Sequence, residues 1–155
     1  MNQQTYNGAL EICEIHAERL RWAMATLAKH MPIAPQDLPQ LSPLDLAVFD
    51  QFIVRYSKLQ DMMGAKLLPG VLAVTQEEGT LDTFIDKLNR LEKIGALKSA
   101  NHWIKLREMR SQFAHDYPED PEIQSALLNK AFQLAQEMLE VFAEIKAFTK
   151  PYLSH

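Results

Sequence analysis

The sequence predicts an all-α protein: an up-and-down bundle of four main helices and a shorter one, in a single domain over residues 1–155. Three observations lead there. Apolar residues recur at spacings of three and four over long stretches, the period of a helix with one buried stripe. Nowhere do apolar and polar residues alternate in the manner of a half-buried strand. Only five glycines are present, and Leu, Ala, Glu and Lys are abundant, a composition that favours helix over sheet.

The first helix is expected from about Tyr6 to His30. Tyr6, Leu10, Cys13, Ala17, Leu20, Met24, Leu27 and Met31 form its seam, while Glu11, Glu14, Glu18 and Arg21 lie mostly off it. Cys13 sits on the seam and reads as a small buried hydrophobe. Met31 to Pro43 carries Pro32, Pro35, Pro39 and Pro43, half of the eight prolines, and is a loop within the domain. Ser42 followed by Pro43 is an N-cap with proline at the first helical position. A second helix then runs from Leu44 to about Gly64. Its broad apolar face of Val48, Phe49, Phe52, Ile53, Tyr56, Leu59 and Met63 marks it as central. Lys66 to Val74 would continue it, interrupted at Pro69-Gly70.

Gln76 to Gly79 is a turn. Thr80 is expected to cap a third helix from Leu81 to about Ile94, with Leu81, Phe84, Ile85, Leu88 and Leu91 inward and Gly95 ending it. Ser99 caps a fourth helix whose inner stripe holds Trp103, Leu106 and Phe113. Pro118 cannot continue it, so it should run out near His115. Asp120 with Pro121 starts the last helix, which reaches about Thr149. Ile123, Leu127, Ala131, Leu134, Met138, Val141, Phe142, Ile145 and Phe148 make its stripe.

Composition narrows the function classes. A net charge of -4 argues against a broad nucleic-acid-coating surface but leaves room for a small basic pocket. One cysteine rules out an internal disulfide and suits a reducing, cytoplasmic setting. The first residues show no basic segment followed by an apolar run, and no apolar stretch is long enough to span a bilayer, so neither a signal peptide nor a membrane partner is expected. The five histidines, His16, His30, His102, His115 and His155, fall in no H-x-x-x-H or H-E-x-x-H arrangement, so neither a metal site nor a cofactor is expected. Lys98, His102 and Lys105 read first as a solvated helix face and second as a basic stripe leading to Arg110.

The stretch richest in chemistry is Arg110-Ser-Gln-Phe-Ala-His115-Asp-Tyr117-Pro118. A guanidinium holds a phosphate through a planar fork of donors, and an imidazole moves protons near neutral pH. Together they suit transesterification of an RNA phosphodiester. On a straight helix Arg110 and His115 stand about 140° apart, so they face each other only if the last turn loosens; Arg110 and Tyr117, seven apart, share a face. The plain alternative is that Arg and His sit here because they favour a helix C-terminus. Arg107, one turn before Arg110, is a possible second phosphate contact, partly offset by Glu108. Asp61 on the second helix is a candidate to orient a basic group.

Trp103-x-x-x-Arg107-x-x-Arg110-x-x-x-x-His115-x-Tyr117-Pro118 resembles the signature of the HEPN family, in particular its small toxins paired with a minimal nucleotidyltransferase (MNT) antitoxin. Arg55-Tyr-Ser-Lys-Leu-Gln-Asp61-Met-Met-Gly64-Ala-Lys66 is similar to that group's second helix, and the likeness extends roughly from residue 44 to 148. The family usually carries Asn, Asp or His directly after the motif arginine; here it is Ser111. The resemblance implies a HEPN-like homodimer that cleaves RNA without a metal, with Arg110 and His115 catalytic. It also implies that Tyr117 is the tyrosine to which the partner nucleotidyltransferase transfers AMP. The alternative is a non-catalytic partner or substrate-binding subunit of a nucleotidyltransferase, toward which Ser111 and the acidic net charge lean.

Overall fold

The computed structural model describes residues 1–115 and 119–154; Asp116, Tyr117, Pro118 and His155 lie outside the described residues. All regular structure among the described residues is helical, as the sequence predicts. In order it comprises α1 (Gln3–Leu27), α2 (Pro43–Met62), α3 (Leu68–Val74), α4 (Phe84–Lys93), α5 (Ala100–Gln112) and α6 (Pro121–Thr149). No helix among them is long and apolar enough to cross a membrane.

Most caps follow from local sequence. Ser42, Ser99 and Asp120 each turn a side-chain oxygen onto a backbone N–H of the first turn of α2, α5 and α6. Gly95 ends α4 at φ 89°, and the N–H groups of Gly95 and Ala96 close back onto Glu92 and Leu91, the paired bonds that a left-handed residue allows. The cap of α4 departs from expectation. Thr83, not Thr80, accepts from Asp86 N–H at 3.1 Å, because Thr83 has an acidic residue three positions on while Leu81 is still held in the preceding turn by Glu78. The later start also turns Ile85 outward, 50% exposed, and leaves Leu88 and Leu91 to pack inward with Phe84 partly covered.

α1 and α2 lie side by side and antiparallel. His30 meets Asp45 near the connecting loop, His16 meets Arg55 midway, and Tyr6 packs at Gly70 at the far end. Tyr6, Cys13, Ala17, Leu20 and Leu27 of α1 are fully buried against Phe52, Tyr56 and Leu59 of α2. Each such large apolar side chain contributes about 1.5–3 kcal/mol. Cys13 is small but fully buried among them, and burial pushes its thiol up to about 12, so it behaves as the hydrophobe the seam predicts. The proline-rich loop is fixed to α6 by Asn129, whose carboxamide accepts from Ile33 N–H at 2.8 Å and donates to Ile33 O at 3.0 Å.

Two further expectations are corrected. The chain is not interrupted at Pro69-Gly70: α2 passes through a π-helical turn, Met63–Leu67, directly into α3. A proline in a regular helix presses on the carbonyl four residues back, here Ala65. The π turn shifts the bonding by one, with Leu68 N–H reaching Met63 O, and this widening accommodates the ring. Gly70 is then required, since a Cβ there would lie 2.6 Å from Tyr6 Cδ2. At the other end, Ile123 is 43% exposed because the first turn of α6 stands at the edge of the bundle, and burial of that helix's stripe begins later, with Ala131.

Candidate functional site

α5 positions the chemistry. Trp103, Leu106 and Met109 are buried, and the hydroxyl of Tyr56 donates to Leu106 O at 2.9 Å, which locks α5 against α2. One consequence is that Arg110 reaches Asp61 across the two helices. Arg110 Nε donates to Asp61 Oδ1 at 3.1 Å and Nη2 to Oδ2 at 3.0 Å, a two-bond fork. Asp61 thus orients Arg110, and the carboxylate raises the already high pKa of the guanidinium through that hydrogen bonding. Among the described residues two of the five guanidinium donors are engaged, both by Asp61.

After Gln112 the chain tightens rather than loosens. Phe113, Ala114 and His115 N–H groups bond three residues back, to Arg110, Ser111 and Gln112. His115 is exposed just beyond the helix end, Ser111 is exposed within the last turn of α5, and no hydrogen bond joins His115 to Arg110 among the described residues. Tyr117 falls outside the described residues.

Beside the Asp61–Arg110 pair lies a cavity of ≈ 370 Å³. Gln60 and Asp61 line it from α2, Gly64 and Ala65 from the π turn, and Phe84 from α4. α5 supplies Trp103 and Arg107, the latter with its guanidinium carbon 5.7 Å from the centre of the Phe84 ring. Arg107 therefore faces this cavity rather than forming a pair with Arg110. The sequence presents Trp103 as a stripe residue and as part of the Arg110 motif, and Phe84 as an inward residue of its helix, but it does not single out Gln60 or join the three in a site. The one local signal was the small pair Gly64-Ala65 five residues before a proline.

Beyond the cavity, Arg55 Nη1 donates to His16 Nδ1 at 3.0 Å, which requires the neutral ring at that nitrogen. Burial, first, and then Arg55, Lys58 and Arg19 lower the pKa of His16. These three cations make a basic cluster on the α1–α2 face, and Arg55, Lys58 and Asp61 follow one another at three-residue steps along α2. By contrast, Lys98 and His102, read first as a solvated face and second as a basic stripe, are tied to α6 through Glu144 and Glu137, both at 2.9 Å.

Comparison with known proteins finds no matching family model, no matching curated protein and no matching solved structure.

Proposed function

We propose that this chain is a cytoplasmic, metal-independent endoribonuclease toxin of the HEPN/MNT type, acting as a homodimer. The observation that carries the reading is the Asp61-oriented guanidinium of Arg110 at the end of α5, with an exposed imidazole, His115, directly beyond it. In the proposed reaction His115 removes the proton of a ribose 2′-hydroxyl. The 2′-oxygen attacks the adjacent phosphorus, and Arg110 stabilises the negative charge that grows on the phosphorane oxygens. The 5′-oxygen leaves and takes up a proton, and a 2′,3′-cyclic phosphate remains. One Arg–His pair offers one good proton-transfer group, so a two-fold dimer bringing two pairs together supplies both base and acid. The cations Arg19, Arg55 and Lys58 support the reading by adding attraction for the RNA backbone on a chain that is acidic overall.

Regulation is proposed at Tyr117. Transfer of AMP to its hydroxyl by a minimal nucleotidyltransferase antitoxin would set a negatively charged phosphate close to the motif arginine and exclude RNA. The second reading, a non-catalytic partner subunit of a nucleotidyltransferase, is favoured by one observation: the Asp61 carboxylate offsets the charge of Arg110.

The test is expression of the wild-type chain, His115→Ala and Arg110→Ala, with growth and RNA integrity followed in parallel and with cleavage by purified protein in chelator. The wild type is expected to arrest growth and leave cyclic phosphate ends. His115→Ala abolishes cleavage, and Arg110→Ala lowers it by roughly 10²–10³, the cost of losing one such donor. RNA left intact by the wild type would select the partner-subunit reading.

A further inference from the structure

The cavity beside Asp61 is walled by an indole, a phenyl ring and a guanidinium, with polar groups beside them. Its indole wall, Trp103, is only 1% exposed, yet its Nε1 has no hydrogen-bond partner among the described residues. Buried polar groups in native proteins are almost always paired, so this indole N–H, in a residue that lines the cavity, is a donor still to be satisfied. Gly64 lies over that part of the indole: a Cβ there would make ordinary contact with Cζ2, next to the ring carbon that carries Nε1, at 3.6 Å. Around the rim stand a carboxamide, Gln60, that is 5% exposed and can both donate and accept, and the carboxylate of Asp61. Phe84 and the guanidinium of Arg107 form a stacked aromatic–cation wall. The volume, ≈ 370 Å³, falls at the small end of ligand pockets, which run from about 300 to 1,000 Å³. π-helical turns are uncommon and gather at functional sites; this one places its two smallest residues, Gly64 and Ala65, on the cavity wall.

We propose that this cavity is a base-binding subsite that takes one unstacked nucleobase of the RNA, next to the phosphate held by Arg110. Asp61 belongs to both halves: it lines the cavity and orients the arginine. Base and phosphate are the two recognition elements of a nucleotide, and single-stranded RNA is read by stacking splayed bases on aromatic and guanidinium planes while their edges are hydrogen-bonded. The inference rests on the proposed RNA substrate and adds to it the residues that set base preference: Trp103 and Gln60 for the edge, Phe84 and Arg107 for the face.

The indole N–H gives a direct readout. The chain has two tryptophans, so its proton–nitrogen spectrum holds two indole peaks, and Trp103→Phe identifies which is which by loss. Titration with each of the four ribonucleoside 5′-monophosphates is expected to move the Trp103 peak saturably for at least one base while the exposed Trp22 stays still. Ala65→Phe, at an exposed residue of the cavity mouth, should weaken that response about tenfold or more, and a melting curve checks its fold. A trinucleotide RNA with the preferred base should bind at least ~10-fold tighter than the mononucleotide, because Arg110 then engages the neighbouring phosphate. A Trp103 peak unmoved by all four nucleotides at about 10 mM, or moved equally in Ala65→Phe, overturns the proposal. Equal affinity for mononucleotide and trinucleotide overturns it in favour of a free nucleotide as the ligand. The nuclease reading is judged separately: a Trp103 response without RNA cleavage leaves the subsite and removes the nuclease, and cleavage without a response does the reverse.

Discussion

The Asp61–Arg110 pair makes a prediction that can be sized before any substrate is known. The perturbation is a double-mutant cycle of Asp61→Asn, Arg110→Gln and the two together. Its geometry is favourable, with two parallel bonds of 3.0 and 3.1 Å. Its setting is not, since the side chains are 33% exposed at Arg110 and 54% at Asp61. Unit charges 4 Å apart interact by about 4 kcal/mol in a surface-like dielectric and about 1 kcal/mol in water, and the cost of ordering two side chains is subtracted from that. The exposure moves this pair toward the water limit, and the two-bond geometry keeps it at the upper end of surface pairs. A coupling of about 0.5–1 kcal/mol is expected, which is a change of about 1–4 °C in Tm for a chain of this size. Urea unfolding of the four proteins at low salt measures it, and raising the salt to about 1 M, where screening acts over about 3 Å, should reduce it by half or more. A coupling under about 0.2 kcal/mol would mean that Arg110 is not held in solution; one above about 2 kcal/mol would mean that the pair is buried by something else, such as a second copy. The same variant carries a functional signature. Asp61→Asn releases the guanidinium from its counter-charge, so the salt dependence of RNA binding should steepen by about 0.7 in log–log slope, the value for one more neutralised phosphate on a single strand. An unchanged slope would place Arg110 outside the RNA contact.

Two further predictions concern the frame. Gly70→Ala brings a Cβ within 2.6 Å of Tyr6 Cδ2 and should destabilise the chain by about 1–3 kcal/mol, whereas Gly8→Ala, which meets nothing within 4 Å, should not; comparative melting decides. His16 is held neutral in the folded state, so its folded pKa lies below its ordinary value of about 6.5. The unfolded chain therefore binds more protons at mildly acid pH: stability from this group is complete above about 6.5 and is lost as pH falls toward the lowered folded value. His16→Gln, which keeps an acceptor for Arg55, should flatten that part of the stability–pH curve, and an unchanged curve would show that His16 does not titrate differently on folding.

What the sequence alone determined is what depends on neighbours along the chain. Ser42, Ser99, Asp120 and Gly95 specify helix ends because each acts on backbone groups within five residues of itself. The buried stripes of α1 and α2 are legible for the same reason: a 3.6-residue period needs no knowledge of the partner helix. Positions at the margin of a stripe were not legible. Ile85 and Ile123 have the right spacing but end outside, because their cover depends on where a neighbouring helix begins and how far it extends. The motif of Arg110 and His115 could be read as residues, but not as a site. Asp61 lies 49 residues before Arg110, and His16 lies 39 before Arg55, so only the packing of α5 on α2, and of α2 on α1, brings those groups within hydrogen-bond reach. The cavity is the furthest from the sequence of all. It arises where three helices fail to close around a π turn, and its polarity is set by side chains whose local patterns announce nothing but a core tryptophan, a helix-margin glutamine and a helix-start phenylalanine.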